Sequence, residues 1–208
     1  MTENETSGRV DFGALRVPEE EKAPLVRALF DSVATRYDLM NDLMSAGIHR
    51  SWKAAMVAWL KPHPGQVLLD VAGGTGDIAL RALPRLAPGG AASVPSVVVC
   101  DTSQTMLEIG RARALDEGIL AGIEWVCADA ERLPVADRSV DLYSFRIVPL
   151  LGRIVTGEPE AYSYLVESIR RFPRQSELCE MIGRAGLDQV RFRNLTGGVA
   201  ALHSAWRL

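Results

Sequence analysis

The stretch LLDVAGGTGDIAL, residues 68–80, sets glycines and aspartates between two apolar runs. Its spacing is Asp70-x-Ala72-x-Gly74-x-Gly76. A strand-like run, then glycines, then a helix start is the layout in which backbone approaches a nucleotide-type ligand and helix N–H groups point at it. A tight βα turn with no ligand explains a lone glycine cluster equally well, so further signals are needed. A second apolar run, SVVVCD, ends in Asp101, placed to accept hydrogen bonds from ribose hydroxyls. A third, IEWVCAD, brings Asp129 and Ala130 to its end, where they suit the exocyclic amine and ring of an adenine. The chain then finishes in a strand pair instead of a second mononucleotide half. One nucleoside without a pyrophosphate is the better fit, which favours S-adenosylmethionine over NAD. Asp77, just past the glycines, either touches the amino group of such a cofactor or caps the helix that follows.

The elements that must position these residues alternate. Residues 24–44 carry apolar side chains at three- and four-residue spacing and read as one or two amphipathic helices; 49–60 read as another, stopped by Pro62. Strands at the runs ending in Val71, Asp101 and Asp129 alternate with helices over 77–86 and 103–118. The second of these has Ser103 as N-cap and Gly118 as C-cap. A short fourth strand reads at 139–145. Such alternation means βαβ units and a parallel sheet. The C-terminal part reads as two helices, then two strands around Thr196-Gly197-Gly198, expected to complete the sheet. The reading is one domain over 23–208 behind a loose arm at 1–22. Within it, 23–61 form a helical lid, 66–145 the cofactor core, and 146–208 the C-terminal helices and strand pair.

Composition narrows the classes. The chain has 208 residues, 48% hydrophobic and 24% charged, with a formal net charge of −3 and the signs interspersed. No basic block points to nucleic acid. Cys100, Cys127 and Cys179 match no metal-ligand spacing, so no metal site is expected. Their odd count, and a polar N-terminal stretch of no signal or membrane-spanning type, fit a reduced cytoplasmic setting.

Four stretches carry a more specific resemblance: FDSVATRYDLMNDLMSAGIHRSWK (30–53), LLDVAGGTGD (68–77), YSYLVESIRRFPRQSEL (162–178) and NLTGGVAALHSAW (194–206). Together they resemble the ubiquinone/menaquinone biosynthesis C-methyltransferase family, from about residue 24 to the end. The resemblance implies an α/β fold, the Rossmann-like sheet of class I S-adenosylmethionine-dependent methyltransferases with N-terminal helices. It implies cofactor contacts at Thr75, Asp101, Asp129 and Ala130. It also implies methyl transfer to a ring carbon of a prenylated quinol, with peripheral membrane contact through the lipid-like tail; self-association is compatible with it. Helpers for deprotonating an adjacent phenol are Tyr37, His49 and His203. Each has a plainer role to hand: the apolar stripe of its helix for Tyr37, a helix cap for His49, a strand position for His203. The apolar N-terminal helices suit a lid over a polyprenyl tail, or ordinary core.

The resemblance breaks at Asp141. In the family, the segment Ser-Val-Asp opens the fourth strand and leads to an Arg-Asn loop, a helix, a Gly-Gly turn and a fifth strand. Here SVD passes straight into LYSFRIVPLLG. About 40–50 residues of the family pattern, more than a βα unit, have no counterpart. The sheet is therefore expected to lack one central strand. A catalytically weak or silent relative that only binds cofactor or a partner, and a methyltransferase for another small molecule, are the alternative readings.

Overall fold

The computed structural model describes residues 8–12, 15–34, 41–42, 45–88, 95–130, 133, 142–145 and 172–206. Two compact units emerge where one domain was expected. One holds residues 25–39 and 48–146; the other holds 1–24, 40–47 and 147–208.

The first unit is the α/β core. Its elements are α2 (Ile48–Leu60), β3 (Leu68–Val71), α3 (Asp77–Leu86), β4 (Val97–Asp101), α4 (Gln104–Asp116), β5 (Ile123–Cys127) and β6 (Leu142–Phe145). The sheet is parallel with order β5-β4-β3-β6. Strands β3 to β5 extend one way and β6 lies on the other side of β3, so the strand order reverses at β3. In open α/β sheets that reversal marks the crevice where ligands bind, at the carboxyl ends of the strands.

Both faces of the sheet are covered, as parallel sheets require. Leu68, Val97 and Val99 pack with Val57 of α2, with Ile78, Ala82 and Leu86 of α3, and with Leu107 of α4. Leu69, Val71 and Cys100, one position out of phase, form the opposite layer. All four residues of β3 are buried. The helix stripes follow from spacing: Ile78, Ala82 and Leu86 recur every four residues, one face of α3. Pro84 lies inside α3 near its last turn. Ser103 caps α4 as expected, accepting from the Met106 N–H at 3.2 Å.

The second unit departs from the sequence reading twice. The expected loose arm at 1–22 holds an antiparallel pair, β1 (Arg9–Phe12) and β2 (Leu15–Pro18), and the first residues of α1 (Glu19–Val33). Helix α1 opens with Glu19, Glu20 and Glu21, which suit the positive end of a helix dipole. That local charge signal begins the helix five residues ahead of Pro24. The C-terminal elements are α5 (Gln175–Arg184), β7 (Asp188–Leu195) and β8 (Ala200–Trp206), with a 3₁₀ turn at Thr196–Gly198. Strands β7 and β8 form a two-stranded sheet of their own, so the expected completion of the parallel sheet is corrected. The physical reason is pairing: a strand joins a sheet through ladder bonds to a neighbour, and β7 and β8 make theirs with each other. The first of the two C-terminal helices expected, EPEAYSYLVESIRRF at 158–172, falls almost wholly outside the described residues.

Candidate functional site

The turn after β3 is built by its backbone. Ala72, Gly74 and Gly76 take left-handed φ values of 53, 56 and 70°, whereas Gly73 and Thr75 between them do not. This alternation folds the backbone tightly, and the turn holds itself: the Gly73 N–H donates to the Cys100 carbonyl at 3.2 Å and the Gly76 N–H to the Gly73 carbonyl at 3.0 Å. Gly76 is also the N-cap of α3, with no side chain to satisfy the first-turn amides. Ala72 is the one exposed residue of the turn and carries a side chain in a left-handed conformation that costs roughly 1–2 kcal/mol.

Close packing explains the glycines. A Cβ on Gly73 would lie 2.7 Å from the Val99 side chain and 3.1 Å from the Asp70 carboxyl. A Cβ on Gly76 would lie 2.5 Å from the indole of Trp125. The same ring stands 2.5 Å from where a Cβ of Gly110 would be, on α4. Trp125 of β5 is thus wedged between the turn and α4, a role the sequence reading did not assign.

Asp101 braces the next strand end. One carboxylate oxygen accepts from the Gly74 N–H at 2.8 Å, and the other from the Ser103 N–H at 2.9 Å. The hydroxyl of Ser103 donates to Asp31 on α1. One acid therefore ties the glycine turn to the start of α4, and through Ser103 to the N-terminal helix. Each carboxylate oxygen has a second lone pair, so Asp101, only half-buried, keeps acceptor capacity toward a ligand. Asp129 and Ala130 are exposed just past β5, which pairs with β4 so that Cys127 stands beside Asp101. The Cys127 Sγ lies 3.6 Å from the Thr102 carbonyl, bridging the two strand ends.

The other expected contacts lie deeper. Asp70 is fully buried and Thr75 is 1% exposed. Asp70 therefore shapes the turn from beneath. The Thr75 hydroxyl is buried and has no hydrogen-bond partner among the described residues. Asp77, the acid in the first turn of α3, is the centre of an ion-pair cluster. It is 4% exposed, and its carboxylate meets Lys53 of α2, Arg81 of α3 at 3.4 Å and Arg113 of α4 at 3.3 Å.

Of the expected helpers, Tyr37 lies outside the described residues. His49 is buried near the start of α2. His203 belongs to the C-terminal unit: its Nε2–H donates to the Gln175 carbonyl at 3.2 Å and its ring stacks on Phe192 at 5.7 Å. Those contacts brace the hairpin against α5. Burial pushes the Cys100 thiol above its ordinary pKa, with the Asp101 carboxylate adding to the shift. Among the described residues no group of three or more His, Cys, Asp or Glu is arranged to hold a metal. No described helix is long and apolar enough to cross a membrane.

The glycine turn, the buried Thr75 hydroxyl and the two acidic strand ends gather at the reversal of the strand order. Magnesium protoporphyrin IX methyltransferase from Synechocystis, solved with bound S-adenosylmethionine, superposes over 88% of this chain and 96% of its own with a TM-score of 0.61 at 14% identity. The [4+2]-cyclase SpnF superposes over 84% and 75% with a TM-score of 0.56 at 16% identity. These likenesses show the fold, the Rossmann-like α/β sheet of class I methyltransferases.

The sequence comparisons narrow the class. A model of the ubiE/COQ5 methyltransferase family matches residues 16–144 and, separately, 139–207. The chain belongs to that family. The ubiquinone/menaquinone biosynthesis C-methyltransferase UbiE of Dinoroseobacter shibae is 44% identical over 257 residues, covering both chains fully. Its counterpart in Brucella suis is 43% identical over 248 residues, covering 95% of this chain and 90% of its own. An alignment over 257 residues exceeds the 208 of this chain, so at least 257 − 208 = 49 positions have no counterpart here.

Proposed function

We propose that this chain transfers a methyl group from S-adenosylmethionine to a ring carbon of a prenylated quinol, demethylmenaquinol or the equivalent ubiquinone precursor. The observation that carries the reading is the convergence of the 72–77 turn, Asp101 and Asp129–Ala130 at the reversal of the strand order, in a member of this family. The bound cofactor supplies an electrophilic methyl group. The protein's work is binding and alignment. The glycine turn and the α3 N-terminus receive the carboxylate end of the cofactor. Asp101 accepts from the ribose hydroxyls while its backbone contacts hold it in place. Asp129 and Ala130 border the adenine. Tyr37, His49 and His203 are the side chains offered for taking the phenolic proton, which raises electron density at the accepting carbon. The reading puts the chain in the cytoplasm, meeting the substrate's tail at a membrane surface.

We further infer that the missing positions fall at the join near Asp141, because the two family matches meet at 139–144 and each side continues the pattern. The cofactor contacts precede that join; the wall beyond β6 follows it. Binding should therefore survive better than turnover. The test is methyl transfer to a soluble short-chain demethylmenaquinol by this chain and by one carrying the corresponding segment of the Dinoroseobacter shibae relative between Asp141 and Leu142. The extended chain is expected to be faster by at least about 100-fold, the effect of misplacing a reacting ring by about 1 Å. Equal turnover would show the segment to be dispensable. No methyl transfer by either chain, with cofactor binding intact, would favour a silent relative or another substrate.

A further inference from the structure

Asp77 is the first residue of α3, immediately after the glycine turn, and it draws cations from three helices. Arg81 is its own i+4 neighbour and supports α3 alone. Arg113 reaches across from α4, and Glu117 one turn later holds that guanidinium at 3.1 Å. Lys53 comes from α2, within the stretch read as a lid, and its ammonium meets the Asp77 Oδ2. Lys53 is 12% exposed and Asp77 5% at the side chain, so this contact is sheltered from water and poorly screened by salt. The body of α2 is held separately, by Val57 in the hydrophobic layer. Apolar packing fixes how closely two helices approach, but a surface of methyl groups tolerates small slides and rotations. A directional contact at the α3 N-terminus adds what packing lacks, a fixed register of α2 against the turn.

We propose that Lys53 is a positioning residue for the cofactor turn, acting through Asp77 and not by touching the cofactor. The inference rests on the cofactor reading above. Removing the ammonium frees the α3 N-terminus to shift against α2, and the alternating turn at 72–76 loses the support that holds it in its binding shape. Arginine keeps the charge at similar reach; methionine keeps the apolar stem and removes the charge.

The test is calorimetric binding of S-adenosylhomocysteine to the full chain, with the melting temperature measured on each variant. Lys53→Met should weaken binding about tenfold, and Lys53→Arg should restore it to within about threefold of the parent. Val57→Ala, which loosens the same helix through the apolar layer, should lower the melting temperature but leave affinity within about twofold, since its loss is one of packing. Unchanged affinity in Lys53→Met would overturn the proposal. So would equal weakening by Val57→Ala, which would make Lys53 merely structural, or failure of arginine to restore binding. Absence of binding by the unsubstituted chain would overturn the cofactor reading itself, and this inference with it.

Discussion

At Asp101 the strand-end acid does two jobs at once, and each can be measured. Asp101→Ala removes the acceptor shared by the Gly74 and Ser103 amides as well as the expected ribose partner. Leaving such groups unpaired costs about 1–3 kcal/mol, so S-adenosylhomocysteine should bind roughly ten- to a hundredfold more weakly by calorimetry; unchanged affinity would take Asp101 out of the site. The thiols give a second residue-scale test. Cys100 is 1% exposed and its raised pKa keeps it protonated at neutral pH, whereas Cys127 is exposed. The thiolate is the reactive form. Iodoacetamide near pH 8 should modify Cys127 in the folded chain and reach Cys100 only after unfolding, as mass spectrometry would resolve. The acids at the strand ends were legible because glycine spacing and the ends of apolar runs are local. Lys53, Asp31 and Trp125 were not legible, because each acts on a turn or strand end far away in sequence and no spacing rule connects them.

Among the elements, α4 carries a sequence cost whose reason is tertiary. Gly110 sits in the helix interior, where glycine is about 1 kcal/mol worse than alanine. The Trp125 ring and the Thr75 backbone occupy the space a Cβ would need. Gly110→Ala should therefore destabilise the chain, by about 1–3 kcal/mol of overpacking against the propensity gain, and lower the melting temperature. Adding Trp125→Leu should recover part of that loss, so the double variant costs less than the two singles together. Strict additivity in denaturant titration would mean that the indole does not set the glycine. The βα alternation up to residue 127 could be read from sequence because period-two and period-3.6 patterns are carried within single elements. The hairpin β1–β2 was missed although Val10, Phe12, Leu15 and Val17 alternate with polar residues, because each run is only four residues long and so short an alternation is a weak signal.

At the scale of the whole molecule, the two units differ in how much they bury. Every residue of β3 is buried, and most of β4. Helix α5 has no buried residue, and neither β7 nor β8 has a fully buried position. Local opening is easiest where few apolar contacts must be broken. Backbone amides of β7 and β8 should therefore exchange with deuterium at least about 100-fold faster than those of β3 and β4, a gap of roughly 2.7 kcal/mol. The strand pair itself was legible from its turn residues, but its place in the molecule was not, because sheet membership depends on a neighbouring strand and not on the strand's own pattern. If the proposed absent segment is that neighbour, inserting the relative's segment between Asp141 and Leu142 should bring β7 protection close to that of β3. Unfolding should then also become a single cooperative transition in calorimetry. Strong protection of β7 in the 208-residue chain as it stands would mean that its hairpin already has the cover it needs, and the segment near Asp141 would have to be read as dispensable to the fold.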